Sequence, residues 1–187
     1  MKHLQNRKIA WALAALMMVA SIFGLGGMKL GSARQKVVTA FFTGRDGFSP
    51  YDDLINRREY AYNLLHIAED ASLQDTPSYT AAHAAWQQLD SAKTPEDYYE
   101  ANIALQTAID ALYSELSSLE SLDEKAEVMA AKQYSDFCGR MSNLQYDDYY
   151  NELAMKYNQS CKGFPAGLIA SITGNGPLPT FREEESK

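Results

Sequence analysis

The sequence predicts an all-α protein, an elongated antiparallel helical bundle behind one N-terminal transmembrane helix. Three observations carry that expectation. Ile9 to Gly27 is nineteen residues without a charge, long enough to cross a bilayer core of about 30 Å as a helix. Helix-start tetrapeptides recur along the rest of the chain, each followed by apolar residues three and four apart. Past residue 48 there are few glycines until the tail and little of the alternation that marks strands.

Taken in order, the first element is the apolar run, with Lys2, Arg7 and Lys8 before it. Apolar residues wrap all of its faces, and Trp11 lies near one end as interfacial aromatics do. A cleaved signal peptide is the rival, because Gly31-Ser32-Ala33 offers small residues at a cleavage site. The run exceeds the usual ~7–15 residues of a signal core, and Lys29 intrudes before the candidate cut, so a retained anchor is the expectation. Lys29, Arg34 and Lys36 nearly balance the cations on the other flank. The basic extreme N-terminus favours an inside N-terminus with the body outside the cytoplasm. The resulting division is an anchor over residues 1–30, a linker over 31–48, a helical bundle over 49–172 and a C-terminal loop and tail over 173–187.

Within the bundle, Ser49-Pro50-Tyr51-Asp52 and Thr94-Pro95-Glu96-Asp97 each place a hydroxyl at an N-cap, proline at the first helical position and an acid in the first turn. The hydroxyl accepts an otherwise orphaned backbone N–H, and the acids face the positive end of the helix dipole. Ser121-Leu122-Asp123-Glu124 reads as a capping box, and Thr76-Pro77 as a softer start. Apolar seams follow: Leu105, Ile109, Leu112, Leu116 and Leu119; Tyr79, Ala82, Trp86 and Leu89; Phe137, Met141 and Leu144; and Tyr146, Tyr150, Leu153, Tyr157, Ser160 and Phe164. They predict helices near 49–74, 78–91, 95–119 and 122–164, sequential neighbours running antiparallel. Pro165 ends the last, Ala166 to Ile172 adds a short apolar turn, and Arg182 to Lys187 is expected as a solvated tail. Cys138 and Cys161, both on the helix expected over 122–164, would stand about 34 Å apart and remain free thiols.

Charge narrows the function. Residues 1–30 hold four Lys and Arg and no acid, so the remaining 157 residues carry 13 cations against 24 acids, a net charge of −11. A body that acidic excludes a nucleic-acid partner, because phosphate contacts need clustered Lys and Arg. Two cysteines and three histidines leave no disulfide scaffold and little for a metal centre, so neither a cofactor nor a metal is expected. Glu59, Asn63, His66 and Asp70 share one helix face and form the one candidate for metal binding or proton transfer. The competing reading is a wet helix face, because Tyr60, Leu64, Ile67 and Ala71 form a separate apolar stripe about 100° round the helix. His83, alone beside alanines, reads as a structural histidine. Asp148 and Glu152 read as a solvated acidic pair. No Gly-rich phosphate loop, His-Glu-x-x-His, Cys-x-x-Cys or Gly-x-Ser-x-Gly is present.

The most individual stretch begins at Tyr150-Asn151. Tyr157-Asn158 follows seven residues on and Phe164-Pro165 seven later, before Leu168-Ile169-Ala170. Seven residues return to nearly the same helix face, so the aromatics are expected in layers along one seam, with Asn151 and Asn158 bonding a neighbouring helix. This pattern resembles the LemA family, whose hallmark is two Tyr-Asn pairs seven apart, then Phe-Pro and an apolar segment. Asn56 to Leu65 is similar to that family's Arg-Arg segment, with Arg57, Glu59, Asn63 and Leu64 at matching places and Tyr62 where the family has proline. The Thr94-Pro95 start and the Pro179-x-Phe181 ending also fit. Arg140 and Asp147 fall where the family has a Glu and an Arg, the signs exchanged, which reads as a compensated ion pair. The resemblance implies a divergent, membrane-anchored bacterial helical bundle with no established catalytic residues. Tyr150, Asn151, Tyr157, Asn158, Phe164 and Pro165 are accordingly read as structural. The functional expectation is a non-catalytic interaction or scaffolding protein, held in the lipid bilayer by residues 9–27 and meeting other membrane or envelope proteins. The alternatives are a metal-dependent enzyme or accessory protein using the Glu59/Asn63/His66/Asp70 face, and a secreted soluble bundle if the leader is cleaved.

Overall fold

The computed structural model describes residues 2–182, with the side chains of residues 2–6 and 8 excepted. Seven helices occur among them: α1 (Lys2–Thr43), α2 (Pro50–Asp70), α3 (Pro77–Ser91), α4 (Pro95–Ser117), α5 (Glu124–Tyr146), α6 (Asp148–Ser160) and α7 (Ala166–Thr173). The all-α expectation holds. The chain divides into two compact units. One comprises residues 1–37 and 154–178, the other residues 38–153 and 179–187.

The starts of α2, α3 and α4 follow the cap chemistry of the sequence. Ser49, Thr76 and Thr94 are extended N-caps whose side chains accept from the N–H of Asp52, Tyr79 and Asp97, each with proline following. Thr94 and Asp97 close a reciprocal capping box. Such a cap contributes about 1 kcal/mol relative to alanine. The start of α5 lies two residues beyond the expected one. Asp123, not Ser121, is its N-cap, accepting from Ala126 N at 2.9 Å.

In the second unit α2 to α5 form an up-down-up-down bundle, legible from cross-helix pairs. Arg58 reaches Asp90 while Tyr79 reaches Glu69, so α2 and α3 run antiparallel. Ser78 meets Glu115 across α3 and α4. Asn102 meets Met141, and Tyr134 meets Asp110, across α4 and α5. Arg57 meets Phe137 and Asp53 meets Arg140 across α2 and α5. Short connections impose this alternation. The core holds Leu54, Leu64, Leu89, Leu105, Ile109, Leu112, Leu116, Phe137 and Leu144, all fully enclosed. Phe41 is also fully buried there, its ring within 6.4 Å of those of Tyr98, Tyr150 and Phe181.

Two expectations need correction. Residues 31–43, expected within a linker, continue α1 as helix. Gly31 alone is too weak a breaker there, and Val37 and Phe41 repeat at i, i+4 on a buried face. A turn then reverses the chain, with Gly44, Asp46 and Gly47 at positive φ and Arg45 paired to Phe48. Secondly, the helix expected over 122–164 breaks at Asp147, whose ψ of 85° leaves the helical region. Its carboxylate accepts from Tyr150 N at 3.0 Å, the side-chain bond of an N-cap, and a new helix begins. Cys138 and Cys161 therefore lie on different elements, and both are free. The loop after α7 contributes two buried side chains, Leu178 and Phe181. Arg182 pairs with Asp148, and the rest of the expected tail, 183–187, lies outside the described residues.

Candidate functional site

The Tyr-Asn repeat grips backbone. In the first unit, the Tyr157 hydroxyl donates to Asn175 O at 2.6 Å. Asn158 Nδ2 donates to Leu178 O at 2.7 Å, and Leu178 N donates to Asn158 Oδ1 at 2.8 Å. In the second unit, the Tyr150 hydroxyl donates to Pro179 O at 2.8 Å, and Phe181 N donates to Asn151 Oδ1 at 2.8 Å. Asn151 Nδ2 donates to Leu144 O at 2.9 Å, tying the end of α5 to α6. Tyr150 and Asn151 are fully buried and Tyr157 nearly so. A residue in an irregular segment has no helical partner for its N–H and C=O, and a buried one left unpaired costs about 1–3 kcal/mol. Each Tyr-Asn pair supplies the missing partners.

The expected layered seam is corrected at both ends. Tyr146 is 80% and Phe164 89% exposed, so neither aromatic packs. The helix break at Asp147 puts Tyr146 out of phase with Tyr150, and α6 ends at Ser160, before Phe164. The Phe164–Pro165 peptide is cis. The supposed Arg140–Asp147 exchange pair is not made. Arg140 instead meets Asp53 at 3.2 Å, and Asp147 serves as the cap of α6.

Glu59, Asn63, His66 and Asp70 all point to solvent on α2. Asn63 donates to Gln133, while His66 meets Glu69 at 3.0 Å and the edge of Tyr62. Among the described residues, no three His, Cys, Asp or Glu side chains gather as a metal site. His83 stacks with Tyr79 and Trp86.

Arg57 belongs to the core. It is fully buried, and its guanidinium donates to Phe137 O at 2.8 Å and Gln106 Oε1 at 2.6 Å. Gln106 passes the polarity on to Asp110 at 2.7 Å, which also accepts from Tyr134 at 2.9 Å. Desolvation pushes the guanidinium down to about 10, with Cys138, Asp110 and Asp53 pulling the other way, so it stays cationic at neutral pH. The Arg57 Nε is left without a partner. The spacing Arg57, Ala61, Leu64 was the signal for its burial, since it continues the apolar stripe one turn earlier.

The second unit also exposes aromatic groups. Phe48, 80% exposed, caps the turn after α1, and Arg45 in that turn lies 5.9 Å from the Tyr149 ring centroid. Tyr146 stands three residues before Tyr149. Arginine and aromatic side chains held partly free of the core are the types that dominate protein-recognition surfaces. No local sequence motif announces this set, because it depends on a turn approaching a helix start. No protein family matches the chain, and no curated protein or solved structure is detectably similar to it.

Proposed function

We propose that this chain is a membrane-anchored interaction module, non-catalytic, whose second unit meets other membrane or envelope proteins on the outer side of the membrane. The observation that carries this reading is the α1 segment from Ile9, which reaches a mean hydropathy of 2.1 over eighteen residues, none of them buried. An apolar helix that finds no cover within its own chain is covered by lipid at the least cost in exposed area. Support for the interaction role comes from Phe48, Tyr146 and the Arg45–Tyr149 pair, which expose aromatic surface on an otherwise acidic body. The resemblance carried by the Tyr-Asn repeat agrees with an anchored, non-enzymatic helical protein.

The test is photo-crosslinking in native membranes from a reactive residue at Tyr146 or Phe48. The expected result is a discrete adduct with a membrane protein, abolished by Arg45→Ala together with Tyr149→Ala. The protein should also stay in the pellet after alkaline carbonate washing with its leader intact. A soluble mature chain beginning near Arg34 overturns the anchor, and crosslinks insensitive to those substitutions overturn the interaction surface.

A further inference from the structure

The short helix α7 presents an apolar face that the fold leaves open. Leu168 and Ile172, one helical turn apart, are 46 and 64% exposed, and Phe164, two residues before the helix, is 89% exposed. The segment around them, Gly163 to Phe181, is nineteen residues without Asp, Glu, Lys, Arg or His. A soluble surface of that length normally carries charge.

The opposite face of α7 is committed. Ile169 and Ala170 are buried, and a Cβ built on Gly26 would meet Ile169 Cδ1 at 2.8 Å. One on Gly27 would meet Thr173 Cγ2 at 2.9 Å. Asn175 Nδ2, just beyond α7, donates to Gly27 O at 3.3 Å, and its side chain lies against Gly31. The two glycines thus let α7 close onto α1 near the end of the uncharged run, Gly27 standing two residues before Lys29. Nineteen residues of helix rise about 28 Å, close to the hydrocarbon thickness. Gly26 and Gly27 therefore mark one edge of the hydrocarbon, and whatever packs on them lies at that edge.

We infer that α7 is an interfacial element whose Leu168 and Ile172 face, with Phe164 just before the helix, enters the headgroup–acyl boundary of the same bilayer that α1 spans. The inference rests on the anchor reading of α1. The contact with the end of the apolar run fixes the occupant as lipid: at that level the surroundings of α1 are acyl chains and headgroups, and an uncharged helix with one open apolar face is suited to both. Met28, the next residue of α1, is apolar and 74% exposed.

The test uses the full chain with Cys138→Ser and Cys161→Ser, reconstituted in phosphatidylcholine–phosphatidylglycerol vesicles. Single cysteines at Leu168, Ile172 or Val19 carry an environment-sensitive fluorophore. Quenchers are a lipid nitroxide near the headgroup, one near the acyl-chain end, and aqueous iodide. Circular dichroism of each variant confirms the helical fold. The expected result is a blue-shifted emission at 168 and 172, quenched most by the shallow nitroxide and little by iodide, with 19 quenched most by the deep one. Iodide quenching at 168 and 172 with 19 still lipid-quenched overturns the inference and leaves the anchor standing. Iodide quenching at 19 overturns the anchor reading and the inference with it. Protection at 168 and 172 from both iodide and the shallow nitroxide overturns it in favour of a second protein copy covering the face.

Discussion

Arg57 meets Phe137 twice: its guanidinium donates to the Phe137 carbonyl at 2.8 Å and its Cζ lies 3.8 Å from the centroid of the same residue's ring. A cation enclosed in a helical bundle without a directly paired carboxylate is held here by a carbonyl, an amide oxygen and a π face. Such a charge is costly to desolvate, so its removal depends on what replaces it. Arg57→Ala should destabilise by about 3–5 kcal/mol, because it opens a cavity and leaves the Gln106 Oε1 without its donor. Arg57→Met, which keeps volume, should cost clearly less. Thermal denaturation of the full chain in detergent compares them; equal losses would show that the hydrogen bonds outweigh the packing.

Asn158 is the next point of test. Asn158→Asp keeps the acceptor for Leu178 N and deletes the donor to Leu178 O. It should cost about 1–3 kcal/mol and raise amide exchange around residue 178. Tyr157→Phe removes one hydroxyl bond, about 0.5–1.5 kcal/mol. Tyr157→Ala adds a cavity, about 3–5 kcal/mol in all, and lowers the melting temperature by several degrees. A Tyr157→Ala chain that melts unchanged would place that ring outside the fold.

Two glycines of the α1–α2 turn should respond differently to alanine. Both have positive φ, 57° at Gly44 and 83° at Gly47. A Cβ on Gly44 would stand 1.6 Å from Phe48 O, whereas nothing lies within 4 Å of one on Gly47. Gly47→Ala should cost about 1–2 kcal/mol from backbone conformation alone. Gly44→Ala must also displace a backbone carbonyl and should cost distinctly more. Comparable melting temperatures for the two variants would refute the close approach.

Tyr79 donates to Glu69, which pushes the phenol up to about 12 and holds the carboxyl below its usual range. The phenol's contribution is fully present below its unfolded value of about 10 and is lost as pH rises through about 12. Glu69 contributes above its unfolded value and loses that contribution as pH falls through its lower folded one. Phenolate absorbance should show a late ionisation step from Tyr79, and Tyr79→Phe should remove it. A titration unaltered in its late region by that substitution would refute the pair.

Where the decisive chemistry is local, the sequence was readable. Ser49, Thr76 and Thr94 start helices because a hydroxyl followed by proline acts within four residues, and Leu105 to Leu116 buries because its spacing is helical. The break at Asp147 was hidden because aspartate serves both helix interiors and N-caps, and no proline or glycine accompanies it. The continuation of α1 to Thr43 was hidden by Gly31, whose cost the following Val37 and Phe41 outweigh. The Tyr-Asn residues were legible as a seven-residue repeat, yet their partners were not, since Asn175, Leu178 and Phe181 lie up to thirty residues away. The pairing of Arg45 with Tyr149 belongs to the same class, a meeting that only the folded chain arranges.

The asparagine amide sets an N–H donor beside a C=O acceptor, the pairing a peptide unit presents to its neighbour in a β-ladder. With both engaged on Leu178, Asn158 acts as a one-residue strand. The consequence is a form of recognition indifferent to side-chain identity. Outside the buried Leu178 and Phe181, the segment from Gly176 to Thr180 is free to be rewritten, provided residue 178 keeps its N–H. A proline there would remove the hydrogen that the clamp reads, whereas Pro177 and Pro179 on either side leave that hydrogen in place.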